Sequence, residues 1–287
     1  MSPRRPFLEV LAGAVLRRPY DDAEGRKGPL GLLARAQRHM VRHHALTLRG
    51  WPRFSRPLRI AFLSDFHVGS HAGDVARLAA VAAEVSTHSP DLVLLGGDYV
   101  NMQLFGGGRV PPQTIASLLS RITSPCGSFG VLGNHDYVYG KEIVAAALGA
   151  AGITVLDHGR APFTYEGHSI DVIGLSDAHI AWPEGQELLK GLEPDKPAVV
   201  LTHDPAHFAA VPAGPFLTLA GHTHGGQIRL PGIGALTNAS VAPMHWTHGL
   251  VTEDGRHMIV TAGLGTSGVP LRIGVPPEFV MIDVAGS

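Results

Sequence analysis

Five short apolar runs, each closing in a polar cluster able to bind metal, constrain this chain more than any other feature. RIAFLS leads into Asp65-Phe66-His67, DLVLLGG into Asp98, FGVLG into Asn134-His135-Asp136, AVVLT into His203-Asp204, and FLTLAG into His222-Thr223-His224. Runs of this length, rich in Val, Leu and Ile and bounded by glycine, read as buried strands. From residue 58 onward they alternate with Ala/Leu-rich helical stretches, the cadence of a layered α/β fold. Strands are expected at 58–64, 91–95, 129–132, 169–174, 198–202, 216–220, 257–261 and 279–284. Helices are expected at 74–86, 113–122, 141–150, 186–192 and 205–211. Each cluster then falls at the carboxyl end of a strand. Where parallel strands lie side by side, those ends share the sheet edge at which open α/β folds bind ligands.

The donor types narrow the ligand. Cys126 is the only cysteine, which excludes a thiolate zinc finger and an internal disulfide framework. The 17 histidines leave imidazole, carboxylate and amide groups to build a site. Asp65, His67, Asp98, Asn134, His203, His222 and His224 suit zinc, iron or manganese better than copper(I) or calcium. Seven donors exceed what one ion uses. They fit two ions sharing a carboxylate, each with positions open to water and substrate, the arrangement that clamps both oxygens of an in-line phosphoryl displacement. His222 and His224 are read as serving one ion each. Glycines flank the donors at Gly96-Gly97, Gly133, Gly221 and Gly225-Gly226, allowing sharp turns and close backbone approach to a phosphate. Any one of these residues has an ordinary reading as a cap, a turn or a core histidine. Five clusters at five strand ends argue against coincidence.

The formal net charge of −1 hides an asymmetry: residues 1–60 carry 13 Lys and Arg against 4 Asp and Glu, and the remainder 10 against 20. Residues 1–57 are read as a basic arm suited to an anionic surface such as phospholipid headgroups, and 58–287 as one catalytic domain with a cation-holding cleft. Arg35, Arg38 and Arg42 fall at i, i+3, i+7 spacing with Leu33 and Met40 roughly opposite. This spacing predicts an amphipathic helix over 29–49 that either meets the membrane or packs on the domain. Arg4-Arg5 before the apolar stretch 7–16 approximates a twin-arginine export signal, but Glu9 interrupts that stretch and no small-residue cleavage site follows. The expected location is the cytoplasm, with the arm peripheral on the inner membrane face. No run approaches the ~20 apolar residues a membrane span needs, and no nucleic-acid partner is expected.

The blocks D-x-H, G-D, G-N-H-[DE], a lone H and G-H-x-H occur in that order, as Asp65-Phe66-His67, Gly97-Asp98, Gly133-Asn134-His135-Asp136, His203 and Gly221-His222-Thr223-His224. The order resembles the calcineurin-like metallophosphoesterase superfamily. The extension Gly225-Gly226-Gln227 and the tail Gly263-Leu264-Gly265-Thr266-Ser267-Gly268-Val269-Pro270-Leu271-Arg272 are similar to its bacterial membrane-associated phosphodiesterases, among them members like UDP-2,3-diacylglucosamine hydrolase. The resemblance implies a four-layer α/β/β/α sandwich with two mixed sheets. It implies one metal held by Asp65, His67 and His224, a second by Asn134, His203 and His222, and Asp98 bridging them, with manganese, iron or zinc as the ions. It further implies a metal-bridging hydroxide attacking a phosphodiester or pyrophosphate, with His135 stabilising the transition state or protonating the leaving oxygen. Asp136 would orient His135 or a nearby ligand. A lipid-linked nucleotide such as UDP-2,3-diacylglucosamine is the expected substrate; a soluble nucleotide or cyclic nucleotide is the alternative, and a metal-binding scaffold without turnover the third reading. A metal-dependent amidohydrolase would begin with H-x-H, where this chain has Asp65-Phe66-His67. Asp177 and His179 follow a further strand and match no block. Asp204 is read as a helix cap, and His245 and His248 as surface or packing residues.

Overall fold

The computed structural model describes residues 37–102 and 108–287. Two six-stranded sheets face each other. The first runs, in spatial order, β1 (Met40–Leu48), β14 (Glu278–Gly286), β2 (Leu58–Leu63), β3 (Leu92–Leu95), β4 (Ser128–Gly130) and β5 (Thr154–Val155). The second runs β12 (Gly249–Glu253), β13 (Arg256–Val260), β9 (Phe216–Ala220), β8 (Ala198–Thr202), β7 (His168–Leu175) and β6 (Gly159–Tyr165). Both sheets are mixed: β14 is antiparallel to β2, and β6 and β12 are antiparallel to their neighbours, while the remaining pairs are parallel. A two-residue ribbon, β10 (Arg229–Leu230) with β11 (Gly234–Ala235), lies outside them.

Strand alternation makes the layers. In β2 and β3, Leu58, Ile60, Phe62, Leu92 and Leu94 enter the core between the sheets, where Val199 and Leu201 of β8 and Leu217 and Leu219 of β9 meet them. The alternate residues Ala61, Leu63, Val93 and Leu95 pack outward on helices α1 (Asp74–Thr87), α2 (Pro112–Leu119) and α3 (Asn134–Ala150). On the far side, Val200, Phe216 and Ala220 pack against Leu189 of α4 (Ala178–Lys190) and Phe208 of the 3₁₀ turn Pro205–Ala210. The result is the four-layer α/β/β/α sandwich that the motifs imply. Phe62 and Ile60 are fully buried, and withdrawing such a side chain from water contributes about 1.5–3 kcal/mol. Strands with two apolar faces can only sit at such a doubly covered position.

Residues 40–48 differ from expectation. They form β1 rather than part of a helix over 29–49, because β14 pairs with them in parallel along their whole length, Met40 against Glu278 through Leu48 against Gly286. Val41 packs on the outer core and Leu46 on the central one, so a partner more than 200 residues away in sequence outweighs the local helical spacing. Residues 1–36 of the basic arm lie outside the described residues. Helix α3 starts at Asn134 rather than at 141, interrupted at Gly140 (φ 131°), and α4 starts at Ala178 rather than at 186. Strands β6 and β12 were not expected. β6 is an edge strand that carries Pro162, a residue that removes a ladder donor and so masks a strand in sequence. Among the described residues no helix is long and apolar enough to cross a membrane.

Candidate metal centre

The register aligns the carboxyl ends of β2, β3 and β4 along one edge of the first sheet, and those of β7, β8, β9 and β13 along one edge of the second. The loops leaving these edges are tied together. Asp65 N–H donates to Gly97 O and His67 N–H to Asp98 O, both at 2.9 Å. Across the sandwich, His222 N–H lies 3.1 and 3.0 Å from the two oxygens of Asp65. Gly221 permits this approach, since a Cβ there would stand 2.4 Å from Asp65 Oδ2. Gly133 is needed likewise: its Cβ would meet Asp98 Oδ1 at 2.1 Å. Five donors, Asp65, His67, Asp98, His222 and His224, have left-handed backbone with φ between 38° and 68°, a region that Asp and His tolerate better than most residues and that concentrates at functional sites.

All seven expected donors are brought together, and in two groups. Asp65, His67 and His224 offer ligand atoms within 4.8 Å of one another; His67 Nε2 is 3.2 Å from His224 Nε2, which is 3.6 Å from Asp65 Oδ1. In the second group His222 Nδ1 lies 3.1 Å from His203 Nε2, which is 3.3 Å from Asn134 Oδ1. Asp98 stands between the groups, with Oδ2 3.4 Å from His67 Nε2 and 3.5 Å from His203 Nε2. Its Oδ1 accepts from His135 N–H at 2.9 Å. His222 and His224 stand in different groups, separated by a tight turn in which both have positive φ.

The donor chemistry fits cations. His203 Nδ1 donates to Gly96 O at 2.7 Å and His222 Nε2 to Ala239 O at 2.9 Å, which turns the other nitrogen of each ring inward as a lone pair, as metal-bound histidines require. Burial, with His135 next, pushes the His67 imidazole down to about 3, and burial holds His224 well below its ordinary range; both stay neutral and able to ligate. Burial pushes the Asp65 carboxyl up, a cost that a bound cation reverses. Burial acts upward on Asp98 too, but His203, His135 and His67 outweigh it and hold Asp98 well below the carboxylate range. His203 mirrors it: burial acts downward, yet Asp98 keeps the imidazole well above its usual value, at a place where a cation can replace the proton.

His135 sits at the mouth, half-buried, its ring edge-on to His67 at 4.5 Å and its Nε2 3.3 Å from Ser267 Oγ. The Asp136 carboxylate is engaged by backbone rather than by the His135 ring. It accepts from the backbone N–H groups of Asp98 (2.8 Å), Gly133 (2.9 Å), Tyr99 (3.0 Å) and Val100 (3.3 Å), clamping the loop that carries Asp98. Burial and Asp98 push this carboxyl up to about 7, and the four donors favour its charged form against that push. Asp204 caps the 3₁₀ turn by accepting from Ala206 N–H at 2.9 Å. His245 pairs with Glu253 at the surface, and His248 with Glu278.

Motif reading missed several supporting residues. Arg272 is buried and donates to Ala262 O and Gly265 O, both at 2.6 Å, behind His224. Gln227 accepts from Ser267 N–H and donates to Ser267 O, fastening the glycine-rich tail over the centre; the tail motif signalled this without saying what it contacts. Asp177, which matches no block, offers a ligand atom within 4.8 Å of one each from His203 and His222. Its signal was present: it too follows an apolar run at a strand's carboxyl end.

The chain is similar to known proteins. Residues 58–226 match the family described as calcineurin-like phosphoesterase. The uncharacterized metallophosphoesterase YkuE of Bacillus subtilis is 27% identical over 98% of this chain and 97% of its own length. The phosphodiesterase YaeI of Escherichia coli is 31% identical over 79% and 82%, respectively. Among solved structures, the NAD nucleotidase NadN of Haemophilus influenzae aligns with 72% of this chain and 45% of its own at a TM-score of 0.49 and 16% identity.

Proposed function

The chain belongs to the calcineurin-like phosphoesterase family, and from that premise we propose that this metal-dependent phosphoester hydrolase is a binuclear phosphodiesterase or pyrophosphatase acting on a substrate presented at a membrane surface. Asp65, His67 and His224 would hold one ion and Asn134, His203 and His222 the other. The observation that carries the reading is Asp98, whose single atom Oδ2 stands within 3.4 and 3.5 Å of inward nitrogens from both groups. Manganese, iron or zinc ions bound there would supply charge to the phosphoryl oxygens and a water acidified enough to attack near neutral pH. The chain's own groups do the rest. His135, whose Nε2 is 3.3 Å from Ser267 Oγ, would serve the leaving oxygen, and Asp136 positions Asp98 through the loop amides.

Exposed apolar side chains on loops beside the centre support an acylated substrate such as UDP-2,3-diacylglucosamine: Ile233, Leu236 and Val241 are 71%, 60% and 76% exposed, and Ala239 in the same loop touches His222. Gln37 Nε2 donates to Arg272 O at 2.8 Å, and the Arg- and Lys-rich composition of 1–36 suits contact with anionic lipid.

The test is a substrate panel with Mn²⁺: bis-p-nitrophenyl phosphate, a cyclic nucleotide, and the lipid-linked nucleotide in mixed vesicles. Metal-dependent turnover is expected, falling more than about 100-fold in Asp98→Ala, beyond the loss typical of a group that only supports a ligand. Removing residues 1–36, which leaves β1 intact, should lower turnover in vesicles and spare the soluble diester. Preference for the cyclic nucleotide favours the soluble reading; no turnover of any phosphoester favours a scaffold.

A further inference from the structure

The second group of donors contains a carboxylate that no motif assigns. Asp177 lies two residues beyond the end of β7, on the same sheet edge as His203 and the loop bearing His222, and is fully buried. Its Oδ2 is 4.0 Å from His222 Nδ1, and Asp177, His203 and His222 each present an atom within 4.8 Å of the others. The side on which it stands is decisive. A carboxylate that merely orients a ligating histidine sits at the proton-bearing nitrogen on the far side of the ring, and for His203 and His222 those places are taken by Gly96 O and Ala239 O. Asp177 instead faces the inward nitrogen of His222, the one turned toward Asn134 and Asp98 by way of His203.

We propose that Asp177 is a metal ligand at the second position, giving that ion its own carboxylate as Asp65 gives one to the first. The inference rests on the two-ion reading above. Donors about 2.1 Å from one ion can stand up to about 4.2 Å apart when opposite each other. The 4.0 Å separation meets that limit directly, and the 4.8 Å bound on the triad exceeds it by an amount that small side-chain rotations close. Asn134, His203, His222, Asp98 and Asp177 make five protein donors, leaving one place of an octahedron for water or substrate. Such a position favours manganese or iron over zinc, which prefers four ligands.

The experiment measures metal binding rather than turnover. Wild-type and Asp177→Asn protein, stripped with chelator, are titrated with Mn²⁺ by calorimetry and followed by electron paramagnetic resonance. Wild-type is expected to bind two ions and give a spin-coupled spectrum. Asp177→Asn should keep one tight site, bind the second ion more than about 100-fold more weakly, and show an uncoupled six-line spectrum at one equivalent, a larger loss than the roughly 10–100-fold of a supporting residue. Two tight ions and a coupled spectrum in the variant overturn the assignment of Asp177 and leave the two-ion reading standing. One ion in wild-type overturns both. Should Asp177→Asn bind no metal at all, Asp177→Cys loaded with Co²⁺ decides: a thiolate-to-cobalt charge-transfer absorption supports ligation, and its absence overturns it.

Discussion

Asp136→Asn separates a structural clamp from an acid–base group. The wild-type carboxylate accepts four backbone N–H bonds, Oδ2 from Asp98 and Gly133, Oδ1 from Tyr99 and Val100. An amide has one oxygen, so whichever way it turns, two buried N–H groups face an NH₂ that cannot accept. Each buried donor left unsatisfied costs about 1–3 kcal/mol, or roughly 2–6 kcal/mol for the pair. In a domain of this size 1 kcal/mol moves Tm by about 2–4 °C, so the metal-free variant should melt roughly 5–20 °C lower. Thermal melts and urea unfolding of chelator-treated protein measure this, and the same preparation should take up less metal because Asp98 is released. A variant that melts within 2 °C of wild-type, holds full metal and still loses turnover would refute the clamp and make Asp136 a participant in proton transfer.

Two further outcomes follow from neighbouring groups. In Glu278 burial acts upward, but His248, the Ala262 N–H and Arg42 outweigh it and lower the carboxyl from its ordinary 4.5 to about 2. A depressed folded-state value means stability that is full above pH 4.5 and lost as pH falls toward 2, worth up to about 3 kcal/mol; Glu278→Gln should therefore lose about that much at pH 7 and progressively less below pH 4 in denaturant titrations. For His135→Asn, kcat on a diester with an alkoxide leaving group should fall by about 10²–10⁴, and far less with p-nitrophenolate, which departs without protonation. Equal losses on both would show that His135 does not serve the leaving oxygen.

The candidate donors were legible because each follows an apolar run, and parallel strands bring such ends to one edge whatever the detailed packing. The same rule covers Asp177, which follows β7, but matching blocks rather than strand ends hid it. Strand β1 was illegible for another reason. Arg38, Arg42 and Met40 carry a helical spacing, and only β14, far along the sequence, makes an extended conformation the better partner. Arg272 and Gln227 were present in recognised motifs, yet their contacts lie with backbone carbonyls and amides of distant loops, which no side-chain pattern records.

The left-handed backbone at five donors carries a consequence for engineering. At roughly 1–3 kcal/mol apiece, these residues set a conformational debt comparable with the whole net stability of an ordinary domain, about 5–15 kcal/mol. Glycine would relieve each of them while deleting a donor. A thermostability selection run on chelated protein would therefore enrich substitutions at Asp65, His67, Asp98, His222 and His224, arriving at a sturdier chain that has forgotten its chemistry; the same selection run with metal present would preserve them.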